Sequence, residues 1–144
     1  METTEMGRVT AEATIYNMGD LFEVSRGKLL PDQVRKVVVK NALVDTGATS
    51  MALTPSLIEQ LGLMKRYERR ALTAAGSIMI NVYDAVRVVI MDRDATVDPI
   101  EVPEGNPVLI GQIPLEMMDW VVDLQARKLI GNPAHDGQQV LELL

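Results

Sequence analysis

Apolar and polar residues alternate in short runs along most of this chain, and Gly, Pro, Asn and Asp residues separate the runs. The pattern begins at residues 8–16, where alternate positions are apolar: Val9, Ala11, Ala13 and Ile15. A period of two predicts a strand with one buried face. Residues 17–20 predict a turn, and residues 21–24 form a short apolar stretch after it.

Further strands are predicted where β-branched and other apolar residues recur between turn signals. Lys40 and Asn41 interrupt the first of these runs, and Pro99 weakens another. The predicted strands cover residues 33–39, 42–45, 82–91, 96–102, 108–111, 120–124 and 129–130, and a hairpin joins 71–73 to 78–80.

Two short helices are predicted between these strands. Residues 54–62 have Thr54 as N-cap, Pro55 at the first helical position and Gly62 as terminator. Residues 113–119 have Pro114 near their start. Eight to ten short strands and two helices predict an all-β fold, a barrel or sandwich-like domain with helical decoration.

Composition narrows the function. The chain has 144 residues, enough for one domain with a real core, and its net charge of −6 disfavours nucleic acid as a partner. No apolar run is long enough to span a membrane, and the acidic N-terminus does not resemble a signal peptide. With zero cysteines as well, a cytoplasmic location is expected.

The amino-acid composition also limits which kinds of catalytic or metal site the chain can form. Without Cys, there are no thiol nucleophiles or thiolate metal sites. The single histidine, His135, lies in a Gly/Pro/Asn-rich stretch and is interpreted as an exposed loop residue. Phosphate-binding and dinucleotide-binding glycine motifs are absent. Carboxylates and hydroxyls remain, and no metal or cofactor is expected.

Asp45 stands out because it follows the apolar residues 42–44 directly. Asp is depleted in strands and costs free energy there unless it is hydrogen-bonded. Asp-Thr-Gly is also a good turn sequence, so a simple turn is one interpretation. A second strand ends at a glycine, Gly111, and a short helix follows it, which echoes the first segment.

Residues 43–49 (Leu-Val-Asp-Thr-Gly-Ala-Thr) and residues 108–111 (Val-Leu-Ile-Gly) together resemble the retropepsin-like aspartic proteases. These are single-domain relatives of pepsin and include retroviral and bacterial enzymes, and the bacterial type is the closer pattern here. The resemblance covers residues 8–131, with residues 1–7 as a tail and 132–144 as a C-terminal segment.

The resemblance implies a retropepsin-like acid protease barrel and an aspartic endopeptidase that hydrolyses polypeptide with an activated water. Asp45 would be the catalytic residue, in an active-site loop with Thr46, Gly47 and Ala48. Two further sets of residues are implied, a ψ-shaped support and a flap over the substrate. The support comprises Leu109, Ile110 and Gly111, and the flap comprises Ala74, Ala75, Gly76 and Ser77.

The chain has a single Asp-Thr-Gly, whereas the chemistry needs two carboxylates. A homodimer with one Asp45 from each subunit is therefore expected, and residues 140–144 could contribute to its interface or lie over their own subunit. The retroviral pattern has Asp and Arg where Thr49 and Gln112 stand here, so the viral dimer contacts do not transfer. The alternatives are a peptide-binding module on the same fold and a purely structural β domain.

The basic run at residues 65–70 has two interpretations. It could form an anion-binding patch, or it could be the solvated entry to a strand. Short charge runs usually have the second role.

Overall fold

The computed structural model describes residues 8–143. Within that range the chain forms eleven strands and three α-helices, with short 3-10 turns at Pro31–Gln33 and Pro133–His135. The strands are β1 (Val9–Asn17), β2 (Lys36–Val44), β3 (Met51–Leu53), β4 (Lys65–Thr73), β5 (Gly76–Tyr83), β6 (Val86–Ile90), β7 (Arg93–Val97), β8 (Ile100–Glu101), β9 (Leu109–Ile110), β10 (Trp120–Asp123) and β11 (Lys128–Gly131). The helices are α1 (Met18–Ser25), α2 (Pro55–Leu61) and α3 (Gln112–Met118).

Nine strands form one curled sheet in the order β4-β5-β8-β3-β9-β2-β1-β6-β7, and β10 and β11 form a separate hairpin. Most neighbours in the large sheet are antiparallel, but β9 runs parallel to β2 and β8 runs parallel to β3. The predicted all-β, retropepsin-like barrel class with short helices is therefore confirmed.

The core is aliphatic. Its largest fully buried residues come from four inner strands of the sheet (β1, β3, β6 and β9) and from two helices: Ile15, Met51, Leu53, Leu61, Ile90, Ile110, Leu115 and Met118. In β1 the predicted apolar face is buried at Val9, Ala13 and Ile15, and Ala11 packs against the core. Burial of such side chains stabilises the domain by about 1.5–3 kcal/mol each.

Helix α2 follows its prediction. Thr54 occupies the N-cap position and Gly62 ends the helix in the left-handed conformation, with φ of 67°. The Thr54 side chain, however, does not cap the helix. Instead the backbone N–H of Ser56 donates to a Glu104 carboxylate oxygen at 2.6 Å, so the loop at 103–107 caps α2 from outside.

Helix α1 was not predicted, because residues 17–20 resemble a turn. The side chain of Asn17 caps the helix by accepting from the N–H of Asp20 at 3.0 Å. Asp20 in turn accepts two hydrogen bonds from the Arg35 guanidinium, both at 2.9 Å, and one from its backbone N–H. A tertiary ion pair thus holds a helix that local sequence disfavours.

Three strand boundaries also differ from prediction. β2 continues past the predicted interruption, but its register with β1 shifts at the exposed Lys40 and Asn41, since Ala13 pairs with Val39 and Ala11 pairs with Ala42. The run 82–91 is not one strand, because β5 ends at Tyr83 and β6 begins at Val86. The run 96–102 is likewise split between β7 and β8, and the chain turns at Met91 before β7.

The C-terminal segment, residues 132–143, packs back on the domain. The expectation that His135 is an exposed loop residue is wrong, because its side chain is only 13% exposed and lies between two carboxylates. The prediction of a loose tail at residues 1–7 falls outside the described residues, as does Leu144. Among residues 8–143 no helix has the length and apolar character needed to cross a membrane.

Candidate active site

The loop that carries Asp45 joins β2 to β3, and β9 lies between those two strands. Leu43 and Val44 of β2 pair with Leu109 and Ile110 of β9 in parallel. On its other side, β9 pairs antiparallel with β3. The chain therefore leaves β2, passes over the end of β9 and returns as β3, which gives the ψ-shaped arrangement expected at this position.

Backbone hydrogen bonds hold the loop to the segment around β9. The N–H of Asp45 donates to the carbonyl of Ile110 at 3.0 Å. Further along, the N–H groups of Gln112 and Ile113 donate to the carbonyls of Ala48 and Thr49 at 2.8 and 3.0 Å. Helix α3 thus begins directly against the loop, which fixes the loop at both ends.

Gly111 allows this close approach. A Cβ atom at this position would overlap the carbonyl oxygen of Ser50 and lie 2.6 Å from that of Ala48. Both neighbours are backbone atoms, so no side-chain rotation could make room. The predicted support residues Leu109, Ile110 and Gly111 therefore lie against the loop, and Gly111 is required there for its lack of a side chain.

The Asp45 carboxylate is half-buried at the end of β2. Its Oδ1 accepts a hydrogen bond from the N–H of Gly47 at 2.9 Å, which satisfies one oxygen of an otherwise costly group. Its Oδ2 has no hydrogen bond within residues 8–143. A simple Asp turn would make the same hydrogen bond. What distinguishes this site from such a turn is that hydrogen bonds with the segment around β9 hold the loop in place.

The neighbours of Asp45 are open to solvent. Thr46 and Gly47 are exposed, whereas Ala48 is half-buried. The Thr46 side chain makes no hydrogen bond in the described part of the chain. The loop therefore presents one carboxylate oxygen, one hydroxyl and an exposed glycine backbone on a rigid base.

The predicted flap residues lie at the tip of the hairpin that β4 and β5 form. Ala74 and Ala75 form the turn between β4 and β5, and Gly76 has φ of 120°. The Thr73 hydroxyl donates to the Gly76 carbonyl at 2.7 Å and accepts from the Ala75 N–H at 3.1 Å. The hairpin joins the rest of the sheet where Val82 pairs with β8, and β8 pairs with β3.

Residues that sequence reasoning did not single out also shape the site. The Ser50 hydroxyl donates to the carbonyl of Asp98 at 3.3 Å, which ties the end of the loop to the approach to β8. Thr49 and Gln112, which the sequence marked only as departures from the retroviral pattern, contribute backbone groups: the Thr49 carbonyl accepts from Ile113 and the Gln112 N–H donates to Ala48. Among the described residues, no group of three His, Asp or Glu side chains is placed to hold a metal ion.

Comparison with known proteins agrees with this geometry. The model of the family described as "gag-polyprotein putative aspartyl protease" matches residues 34–117. That match includes β2, the Asp45 loop, the hairpin of β4 and β5, and β9. No curated protein sequence matches the chain.

Proposed function

Because the chain belongs to the retropepsin-like aspartyl protease family, we propose that it is an aspartic endopeptidase with Asp45 as its catalytic residue. The observation that carries the proposal is the insertion of β9 between β2 and β3. That insertion holds a carboxylate with one unbonded oxygen in a fixed place at the surface. Preorganised groups of this kind are what general acid–base catalysis needs.

One Asp45 supplies only one of the two carboxyl groups that the reaction requires. Amide hydrolysis by carboxylates uses one ionised group as a base and one protonated group as an acid. Two carboxyl groups at hydrogen-bonding distance cannot both ionise, so they share one proton. Since the sequence has a single Asp-Thr-Gly, the second carboxyl group comes from a second copy, across a two-fold axis.

In the dimer, the ionised Asp45 accepts a proton from water while the oxygen of that water attacks the scissile carbonyl carbon. The protonated Asp45 of the other copy donates its proton to the carbonyl oxygen, and a tetrahedral intermediate forms. The first Asp45, now protonated, then gives its proton to the amide nitrogen while the second takes a proton from a hydroxyl of the intermediate, and the C–N bond breaks to release an amine and a carboxylic acid. In this proposal Thr46 hydrogen-bonds across the axis and the backbone of Gly47 contacts the peptide, and the exposure of both residues supports these roles.

Exposed apolar side chains near the loop support association of two copies. In α3, whose first turn is bonded to the loop, Ile113 and Met117 are 47% and 54% exposed. In the C-terminal segment, Val140 and Leu141 are 42% and 78% exposed. The Gln139 side chain links the C-terminal segment to α3 by donating to the carbonyl of Met117 at 3.4 Å. Apolar surface of this kind is typical of sites where chains associate.

The test mixes wild type with Asp45→Asn and follows cleavage of an unfolded protein. If each active unit needs two Asp45 residues, an equal mixture that exchanges subunits keeps about a quarter of the wild-type activity. A one-chain enzyme would keep about half. Asp32→Asn, which alters an exposed Asp, is the matched control and should be fully active.

Two results would overturn the proposal: full activity of Asp45→Asn, or a strict monomer that cleaves nothing. The second result would favour the peptide-binding alternative. Activity should also pass through a maximum as pH changes, because the pair must hold one proton and only one.

A further inference from the structure

The hairpin of β4 and β5 is exposed on both faces. Every residue of β4 except Ala71 is exposed, as are residues 76–79 of β5. Its apolar side chains are among the most exposed in the described chain, with Leu72 at 84%, Met79 at 60% and Ile78 at 52%. A two-stranded ribbon is marginally stable in water unless something covers one face.

This hairpin is also basic in an acidic protein. Residues 65–83 contain four basic residues and one acidic residue, a net charge of +3, whereas the whole chain has −6. Lys65 and Glu68 form an ion pair at 2.8 Å. The remaining cations, Arg66, Arg69 and Arg70, have no ion-pair partner among residues 8–143.

The strand register places the arginines beside apolar side chains. Arg69 pairs with Ile80, and Arg70 pairs with Met79. Adjacent residues in a strand point to opposite faces, so each face of the ribbon has one arginine beside one apolar residue. The Arg69 face is the one that continues to Val82, which is buried in the domain at the base of the hairpin.

We propose that this hairpin selects acidic polypeptide substrates, with Arg69, on the face that continues into the domain, as the specificity-determining residue for an Asp or Glu next to an apolar residue. The guanidinium group matches a carboxylate through two parallel hydrogen bonds. The apolar neighbours contact the adjacent substrate side chain, and the hairpin gains the cover that it lacks. This inference rests on the proposed protease function and names its substrate class.

Nucleic acid is a less suitable anion for this surface. Tyr67 is the one aromatic residue of β4, so successive bases would have little to stack on. The acidic remainder of the chain would also repel an extended phosphate backbone. A peptide segment with one or two carboxylates fits a patch of net charge +3 and two apolar contacts.

The test uses two peptides that differ only by Glu in place of Gln beside an apolar residue. Wild type should cleave the Glu peptide with kcat/KM at least about tenfold higher, and low salt should increase the difference. Arg69→Gln should remove most of that preference by lowering kcat/KM for the Glu peptide, whereas Arg70→Gln, on the opposite face of the ribbon, should retain the preference. Arg26→Gln, which alters an exposed arginine directly after α1, should also retain the preference.

Equal cleavage of both peptides by wild type would overturn the inference, as would equal losses in Arg26→Gln and Arg69→Gln. Binding of the two peptides to Asp45→Asn, measured by calorimetry, gives a readout that needs no catalysis. If that variant prefers the Glu peptide but wild type cleaves neither, the proposed protease function fails and the acidic selectivity stands. Tighter binding of a single-stranded oligonucleotide than of the Glu peptide would overturn the selectivity.

Discussion

Nδ1 of His135 lies 2.6 Å from Oδ2 of Asp119, and Nε2 of the same ring lies 3.0 Å from Oε2 of Glu142. A neutral imidazole has one N–H, so both contacts are hydrogen bonds only in the charged form. The hydrogen bond with Glu142 is the largest cause that raises the pKa of His135, and the hydrogen bond with Asp119 raises it further. The contact with His135, followed by bonds from Val140 and Asn132, lowers the pKa of Asp119.

These shifts predict how stability depends on pH. The contribution of His135 is complete below its ordinary pKa of about 6.5 and disappears as pH rises through the raised value. The contribution of Asp119 is complete above its ordinary pKa of about 3.9 and disappears as pH falls through the lowered value. The thermal midpoint of the wild type should therefore be highest at pH values between the two ordinary pKa values, about 3.9 and about 6.5.

The variant His135→Gln should lose the decline on the alkaline side, since it has no group to deprotonate there. Glu116→Gln on α3 alters an exposed carboxylate and should keep the wild-type profile. The measurement is the unfolding midpoint in buffers that span both pKa values. If the decline of the unfolding midpoint on the alkaline side persists in His135→Gln, the decline comes from another titrating group.

Gly111→Ala should destabilise the fold and abolish cleavage together. The new Cβ would overlap backbone atoms of Ser50 and Ala48, so the Asp45 loop must move. Overpacking of this kind costs about 1–3 kcal/mol. Urea unfolding followed by the fluorescence of Trp120 measures the loss. Gly19→Ala, in α1, is the control, because its Cβ would approach only a side-chain oxygen of Asn17 at 3.2 Å.

Asp20→Ala should cost about 1–3 kcal/mol, because it leaves Arg35 without the carboxylate that accepts three hydrogen bonds. Those bonds lower the pKa of Asp20, so its contribution is present above the ordinary value and is lost as pH falls. Glu23→Gln breaks the exposed pair with Arg26 and should cost at most about 1 kcal/mol. Equal urea midpoints for the two variants would contradict this difference.

Arg93→Met should loosen the C-terminal segment. The buried Arg93 guanidinium donates to the carbonyls of Met118, Asp119 and Gly137 and stacks 4.0 Å from the Trp120 ring. Hydrogen bonds to charged groups contribute about 1.5–3 kcal/mol each. Faster amide exchange is expected at residues 136–143. Arg87→Met, which removes a surface partner of Asp94, should leave that exchange as in wild type.

The elements that sequence predicted were those with local signals. β1 and α2 have clear apolar periods and end at recognisable residues such as Gly62, and the Asp45 and Gly111 segments each follow an apolar strand. The structure brings these last two segments together, which a matching pair of motifs had implied.

The elements that sequence missed depend on distant partners. Helix α1 needs the ion pair between Asp20 and Arg35, fifteen residues apart. The break between β5 and β6 is set by Asp84, which exchanges hydrogen bonds with the backbone of Met64. The burial of His135 needs Asp119 on one side and Glu142 on the other. None of these pairings can be recognised from the local sequence pattern.

The central position of β9 has a consequence for biosynthesis. A ribosome makes Asp45 long before it makes Ile110, and the loop between them must close before the two can bond. A nascent chain that stops short of residue 108 therefore has no acceptor for the Asp45 N–H and no base under Ala48. The Asp45 loop can therefore reach its braced form only after β9 and the start of α3 have left the ribosome.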